Sequence, residues 1–146
     1  MRIPPEGIVM LGKRPLFAGL SRKELESVAA LGVTMEIAAQ KELMTQDTIG
    51  QEAFLIVSGT ARCLVGEGIE LARLGPGDFF GELSLLDGAR RSATVIAETP
   101  MVVTVFDRRE FRQLIETSAS VALKLLEAMA ARLRAVDQEL AEGKSA

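Results

Sequence analysis

Between Val33 and Phe106 the apolar residues come in short runs, broken by glycine, proline and aspartate. Runs of this kind, rich in Val, Ile, Leu and Phe and bounded by turn residues, predict strands. They fall near 33–37, 42–45, 53–57, 60–65, 69–74, 93–97 and 101–106, with turns at 47–50, 58–59, 66–68 and 75–77. Seven or eight short strands at such intervals predict a mainly β fold, a double-stranded β-helix (jelly-roll) barrel. Phe54-Leu55-Ile56-Val57 and Met101-Val102-Val103 are apolar on both alternating faces. A strand of that kind needs a layer on each side, and flanking helices have to supply the outer one.

Helix signals stand on both sides of the strand region. Ser21 with Glu24 three residues later is a capping-box arrangement, Leu25, Val28, Ala29 and Leu31 give one apolar face, and Gly32 marks the end. Asp107 with Glu110 repeats the capping signal ahead of Phe111, Leu114 and Ile115, and Thr117-Ser118 marks a break. A longer helix follows over 119–141, in which Leu126, Met129, Leu133, Val136 and Leu140 recur at alternating steps of three and four. That spacing suits either a face packed on the chain's own barrel or a two-stranded seam between copies. The chain divides into a leader over 1–20 with an apolar patch at Ile8-Val9-Met10-Leu11 that docks on the body, a folded unit over 21–141 with its jelly roll at 33–107 and C-terminal helices at 108–141, and a disordered tail over 142–146. At 146 residues this is one domain's worth of chain.

Composition removes several chemistries. The sequence holds no histidine, so Ser-His and Cys-His nucleophile pairs and the usual imidazole metal and haem ligands have no source. One cysteine, Cys63, cannot close an internal disulfide, which fits a reducing cytoplasm. A formal net charge of −3 and the absence of Trp and Tyr argue against a nucleic-acid surface. No apolar run approaches the ~18 residues of a membrane span. No metal site and no cofactor are expected.

Against that background, residues 81–95 carry the functional signal, Gly-Glu-Leu-Ser-Leu-Leu-Asp-Gly-Ala-Arg-Arg-Ser-Ala-Thr-Val. Glycines at 75, 77 and 81 around Asp78 let backbone approach a ligand, and a helical turn begun there aims unpaired N–H groups at an anion. Arg91 adds a planar fork of donors suited to phosphate, and Ser92 a hydroxyl. A carboxylate at Glu82 repels phosphate, so its place there is explained by sugar hydroxyls, whose hydrogens it accepts. Phosphate plus ribose means a nucleotide. The bland alternative is a strand, turn and strand with solvated charges.

Phe80-Gly81-Glu82-Leu83 followed by Arg91-Ser92-Ala93-Thr94-Val95 resembles the phosphate-binding cassette of cyclic nucleotide-binding domains, as found in catabolite activator proteins, protein kinase A regulatory subunits and cyclic nucleotide-gated channels. Phe54-Leu55-Ile56-Val57-Ser58-Gly59 and Leu74-Gly75-Pro76-Gly77-Asp78-Phe79-Phe80 extend the resemblance, which covers roughly 15–140. It implies a ligand-binding set of Gly81, Glu82, Leu83, Ser84, Arg91, Ser92 and Ala93, with Glu82 on the ribose and Arg91 on the phosphate. It further implies a base pocket near Leu71, Ala72 and Cys63 and a base contact from Arg132. A buried inert thiol is an equal reading of Cys63, and a solvated face residue the other reading of Arg132. The implied function is a non-enzymatic sensor or regulatory domain for a cyclic nucleotide, cAMP ahead of cGMP, that forms a homodimer through helix 119–141 and acts on a downstream protein. A ligand-free jelly-roll dimerisation or scaffold module is the alternative. Two departures stand out. The helix positions that hold a base-contacting Thr and Ser in the activators are Val136 and Asp137 here, and 142–146 leaves no recognition helix, so direct nucleic-acid binding is not expected.

Overall fold

The computed structural model describes residues 5–145. Two helices, α1 (Pro5–Gly12) and α2 (Arg22–Ala29), precede the strands β1 (Val33–Ile37), β2 (Glu42–Met44), β3 (Glu52–Ser58), β4 (Ala61–Val65), β5 (Ile69–Leu74) and β6 (Phe79–Phe80). A short helix α3 (Glu82–Asp87) interrupts them before β7 (Thr94–Ala97) and β8 (Met101–Asp107), and α4 (Arg108–Thr117) and α5 (Ala119–Ser145) close the chain. The strands form two four-stranded antiparallel sheets, β1-β8-β3-β6 and β2-β7-β4-β5, which is the jelly-roll barrel read from the sequence.

The two-faced strands sit where their composition requires. In β3, Phe54 and Ile56 point between the sheets with Val95, Ala97, Val103 and Val105, while Ala53 and Leu55 point outward against the helices. The outer layer contributes Leu11, Phe17, Val28, Leu85, Phe111, Val121 and Leu125. Phe17 binds this layer together, meeting Phe79 edge-on at 5.4 Å and Phe111 at 6.0 Å between ring centroids. At ~1.5–3 kcal/mol per fully buried large apolar side chain, these two cores are the main source of stability.

Helix ends follow the capping signals. Ser21 Oγ accepts from Glu24 N–H at 3.2 Å while Ser21 N–H donates back to Glu24 Oε1 at 2.8 Å, completing the capping box. Asp107 accepts from the N–H groups of Arg109 and Glu110 and starts α4. Two segments differ from the sequence reading. The leader holds a helix, α1, whose Leu11 is fully buried, while Met1–Pro4 of it lie outside the described residues. Helix α5 continues through Ser145, so 142–145 of the segment read as a disordered tail are helical, and Ala146 lies outside the described residues. A lone Gly143 costs only about 1 kcal/mol and does not stop a helix already running. Among the described residues no helix is long and apolar enough to cross a membrane.

Candidate functional site

The turn into α3 is built around Gly81, whose φ of 79° is left-handed and whose missing Cβ leaves room for a guanidinium: a Cβ there would stand 2.8 Å from Arg91 Nη1 and 3.0 Å from the Glu52 carbonyl oxygen. Gly50 makes the same allowance from the other side. A Cβ at that position would overlap the Ser84 hydroxyl and come within 3.0 Å of Arg91 Cζ. The arginine is thus enclosed by Gly50, Gly81, Ser84 and the Phe54 ring, over which Cζ lies 6.0 Å from the centroid. Its backbone is fixed too, with Arg91 N–H donating to Thr48 O at 2.7 Å and Asp47 N–H to Arg91 O at 2.9 Å.

Arg91 is 6% exposed, and its Nη1 is buried with no hydrogen-bond partner among the described residues. Burial lowers its pKa from the usual guanidinium value, and the Glu52 carboxylate pulls the other way. A buried, incompletely paired guanidinium is costly, and an anion in the adjoining space relieves the cost.

That space exists. A cavity of about 280 Å³ is lined by Gly81, Glu82, Leu83, Ser84, Arg91, Ser92 and Arg132 together with Met44, Asp87, Ala89 and Arg90. Its volume lies just under the roughly 300–1,000 Å³ of small-molecule sites. Six of the seven residues read as the ligand-binding set therefore converge; the seventh, Ala93, is buried and does not line it. Arg132 reaches in from α5, and its Nη1 lies 3.2 Å from Glu82 Oε1. In this structure the carboxylate and the helix arginine hold each other. A second cavity of about 500 Å³ shares both of these residues and is otherwise walled by Arg14, Pro15, Leu16, Phe79 and the alanines 128, 131 and 135 of α5.

The three residues read as a base pocket do not line the smaller cavity. Leu71 and Ala72 lie on β5, an outer strand of its sheet, with Leu71 61% exposed. Cys63 is paired in register with Ala72 and Val95 and packs against the inter-sheet core, where burial pushes its thiol pKa up and keeps it protonated. Sequence reasoning did not place Met44, Asp87, Ala89 and Arg90 in the lining or Gly50 behind Arg91. The last was visible only as a turn glycine, because its neighbours Ser84 and Arg91 are far away along the chain.

The sequence matches the family described as Cyclic nucleotide-binding domain over residues 34–118. It is 35% identical over 130 residues to the Cyclic AMP receptor protein of Thermus thermophilus, covering 86% of this chain and 60% of that protein's length. Among solved structures, the N-terminal domain of a transcriptional regulator from Streptomyces coelicolor superposes with a TM-score of 0.81 at 27% identity, over 90% of this chain and 94% of that one. The regulatory domain of Toxoplasma gondii PKA with cAMP gives 0.70 at 28% identity, over 78% and 46% of the two chains. With the matched segment running from Thr34 in β1 through α4 and taking in the smaller cavity's lining except Arg132, the chain belongs to the cyclic nucleotide-binding domain family.

Proposed function

We propose that this chain binds a 3',5'-cyclic nucleotide, cAMP ahead of cGMP, and serves as a sensor or regulatory domain without enzymatic activity. The observation that carries the reading is the buried Arg91 with its unpartnered Nη1 at the wall of a cavity that also presents Glu82, Ser84 and Ser92. Residues 81–92 then act as a phosphate-binding cassette. The cyclic phosphate, with one negative charge, takes Arg91, the Ser92 hydroxyl and the first N–H groups of α3. The ribose hydroxyl donates to Glu82, which leaves its bond with Arg132 to accept it. Since Arg132 belongs to α5, ligand and helix compete for one carboxylate, and that differential contact is what a switch requires.

The preference for cAMP rests on the names of the relatives, a Cyclic AMP receptor protein and a PKA regulatory domain with cAMP. Catalysis is not part of the proposal. Of the two acidic groups that line the cavity, Asp87 accepts from the Ala89 N–H at 2.9 Å and Glu82 is paired with Arg132, and the sequence offers no histidine base. We place the protein in the cytoplasm, as a homodimer through α5 that passes its output to a downstream protein and makes no direct contact with nucleic acid.

Isothermal titration with cAMP and cGMP tests the reading. Arg91→Ala should weaken cAMP binding by about 2 kcal/mol or more, because it removes a buried charge partner. Unchanged affinity in that variant would refute the site. A second reading, a ligand-free scaffold of the same fold, is favoured by the Glu82–Arg132 pair, which leaves the carboxylate satisfied without ligand. The unfolding midpoint separates the two, since a ligand that binds only the native state raises it.

A further inference from the structure

The turn after α3 has a front and a back. Asp87, Ala89 and Arg90 line the smaller cavity, whereas Gly88 between them does not. Gly88 faces Arg108, the first residue of α4: a Cβ at Gly88 would stand 2.6 Å from Arg108 Cζ, 2.7 Å from Nε and 3.0 Å from Nη2. Three such similar distances put the flat face of the guanidinium over the glycine. The glycine is held there by its own geometry, with a left-handed φ of 64° and an N–H that closes α3 onto the Ser84 carbonyl at 3.0 Å.

Arg108 is anchored at its own end. Its N–H donates to the Gln51 carbonyl at 2.8 Å, and the neighbouring Asp107 caps α4. Its Nε is buried without a hydrogen-bond partner among the described residues, so stacking on the turn, at the carbonyl end of α3, is what holds the group. A planar delocalised cation suits that place, and a lysine ammonium does not.

We infer that Arg108 is a positioning residue for the nucleotide site, bracing the back of the 87–90 turn and carrying movement of that turn into α4. The inference rests on the nucleotide-binding reading above. Residues 87, 89 and 90 form part of the wall around a ligand held by the adjoining Arg91 and Ser92, and a displacement of the turn meets Arg108 behind it. Because Arg108 begins α4, which leads through Ser118 into α5, the contact joins the pocket wall to the helices by a route separate from the Glu82–Arg132 pair. Coupling of this kind is reciprocal, so bracing the turn also favours ligand.

The test is amide hydrogen exchange on the full chain with and without cAMP, together with titration calorimetry, for wild type, Arg108→Ala and Arg108→Lys. In wild type, cAMP should change exchange both at 81–92 and at 108–117. In Arg108→Ala the change at 81–92 should remain, the change at 108–117 should disappear, and affinity should fall about tenfold. Arg108→Lys, which keeps the alkyl stem, should behave like Arg108→Ala. It also preserves the test should the alanine variant not fold. A role limited to packing would alter the basal exchange of α4 but leave its cAMP-dependent change in place, or would be rescued by lysine, and either result overturns the inference. If wild type shows no response to cAMP at 81–92, the nucleotide reading itself falls, and this coupling with it.

Discussion

The two halves of α5 differ in almost every physical respect. The first half is knitted to the body: Val121 and Leu125 are buried in the outer core, Ser120 Oγ donates to Glu24 Oε2 at 2.7 Å, and Lys124 Nζ pairs with Glu24 Oε1. From Ala130 to Gly143 every residue is exposed, including Leu133, Val136 and Leu140. Lys124, Ala128, Ala131, Arg132 and Ala135 fall on one side of the helix and face the body, and the leucine stripe falls roughly opposite. A helix whose second half is exposed all round gains little from tertiary packing there. One half is therefore packed into this chain, and the other meets it chiefly through the Arg132–Glu82 pair, with its leucine stripe uncovered among the described residues.

Substitutions can break that contrast, beginning with the largest effect. Leu125→Ala should destabilise the fold by about 3 kcal/mol in denaturant titration, through lost burial and the cavity left behind. Leu133→Ala should change monomer stability by no more than about 0.5 kcal/mol, as an exposed site does. If α5 is the seam of a homodimer, Leu133→Asp should shift sedimentation toward monomer without altering the unfolding of the dilute protein, and a large loss of stability at every concentration would instead mean that the far half packs on its own body.

The middle-sized effect lies at Glu24. Its carboxyl is held at about 2, below its ordinary 4.5, first by the hydrogen bond from Lys124 and then by those from the Ser21 backbone and Ser120. A carboxylate with a depressed folded-state pKa stabilises above its unfolded value, and the contribution fades as pH falls toward the folded one. Glu24→Gln should accordingly unfold at a lower temperature than wild type at pH 6, with the gap narrowing between pH 4.5 and about 2. A gap that stays constant across that window would remove Glu24 from the list of anchors. Smallest of all, Arg132→Ala should cost less than about 1 kcal/mol of stability, since the Arg132–Glu82 pair is half solvated. Its effect should appear in ligand affinity instead.

The β architecture was legible because strand composition and turn residues are local signals, and the Ser21–Glu24 and Asp107 caps were legible for the same reason. The two-residue β6 was not, since Phe79-Phe80 is too short to show a period, and neither was α1, where Pro4-Pro5 hides a helix start. In the candidate site, the Gly-Glu and Arg-Ser pairs announced themselves by residue type. What surrounds them did not: Gly50 against Arg91, Glu24 against Lys124 and Arg132 against Glu82 are meetings of residues roughly forty to a hundred positions apart, and no local pattern encodes them.

The bare backbone at Gly50 also sets how this pocket can be silenced. One methyl group added there overlaps the serine on α3 and crowds the guanidinium beside the hollow that both of them line. Gly50→Ala would press on Ser84 first and on Arg91 second, so that one added carbon behind the pocket disturbs its wall while every side chain that lines it is still present.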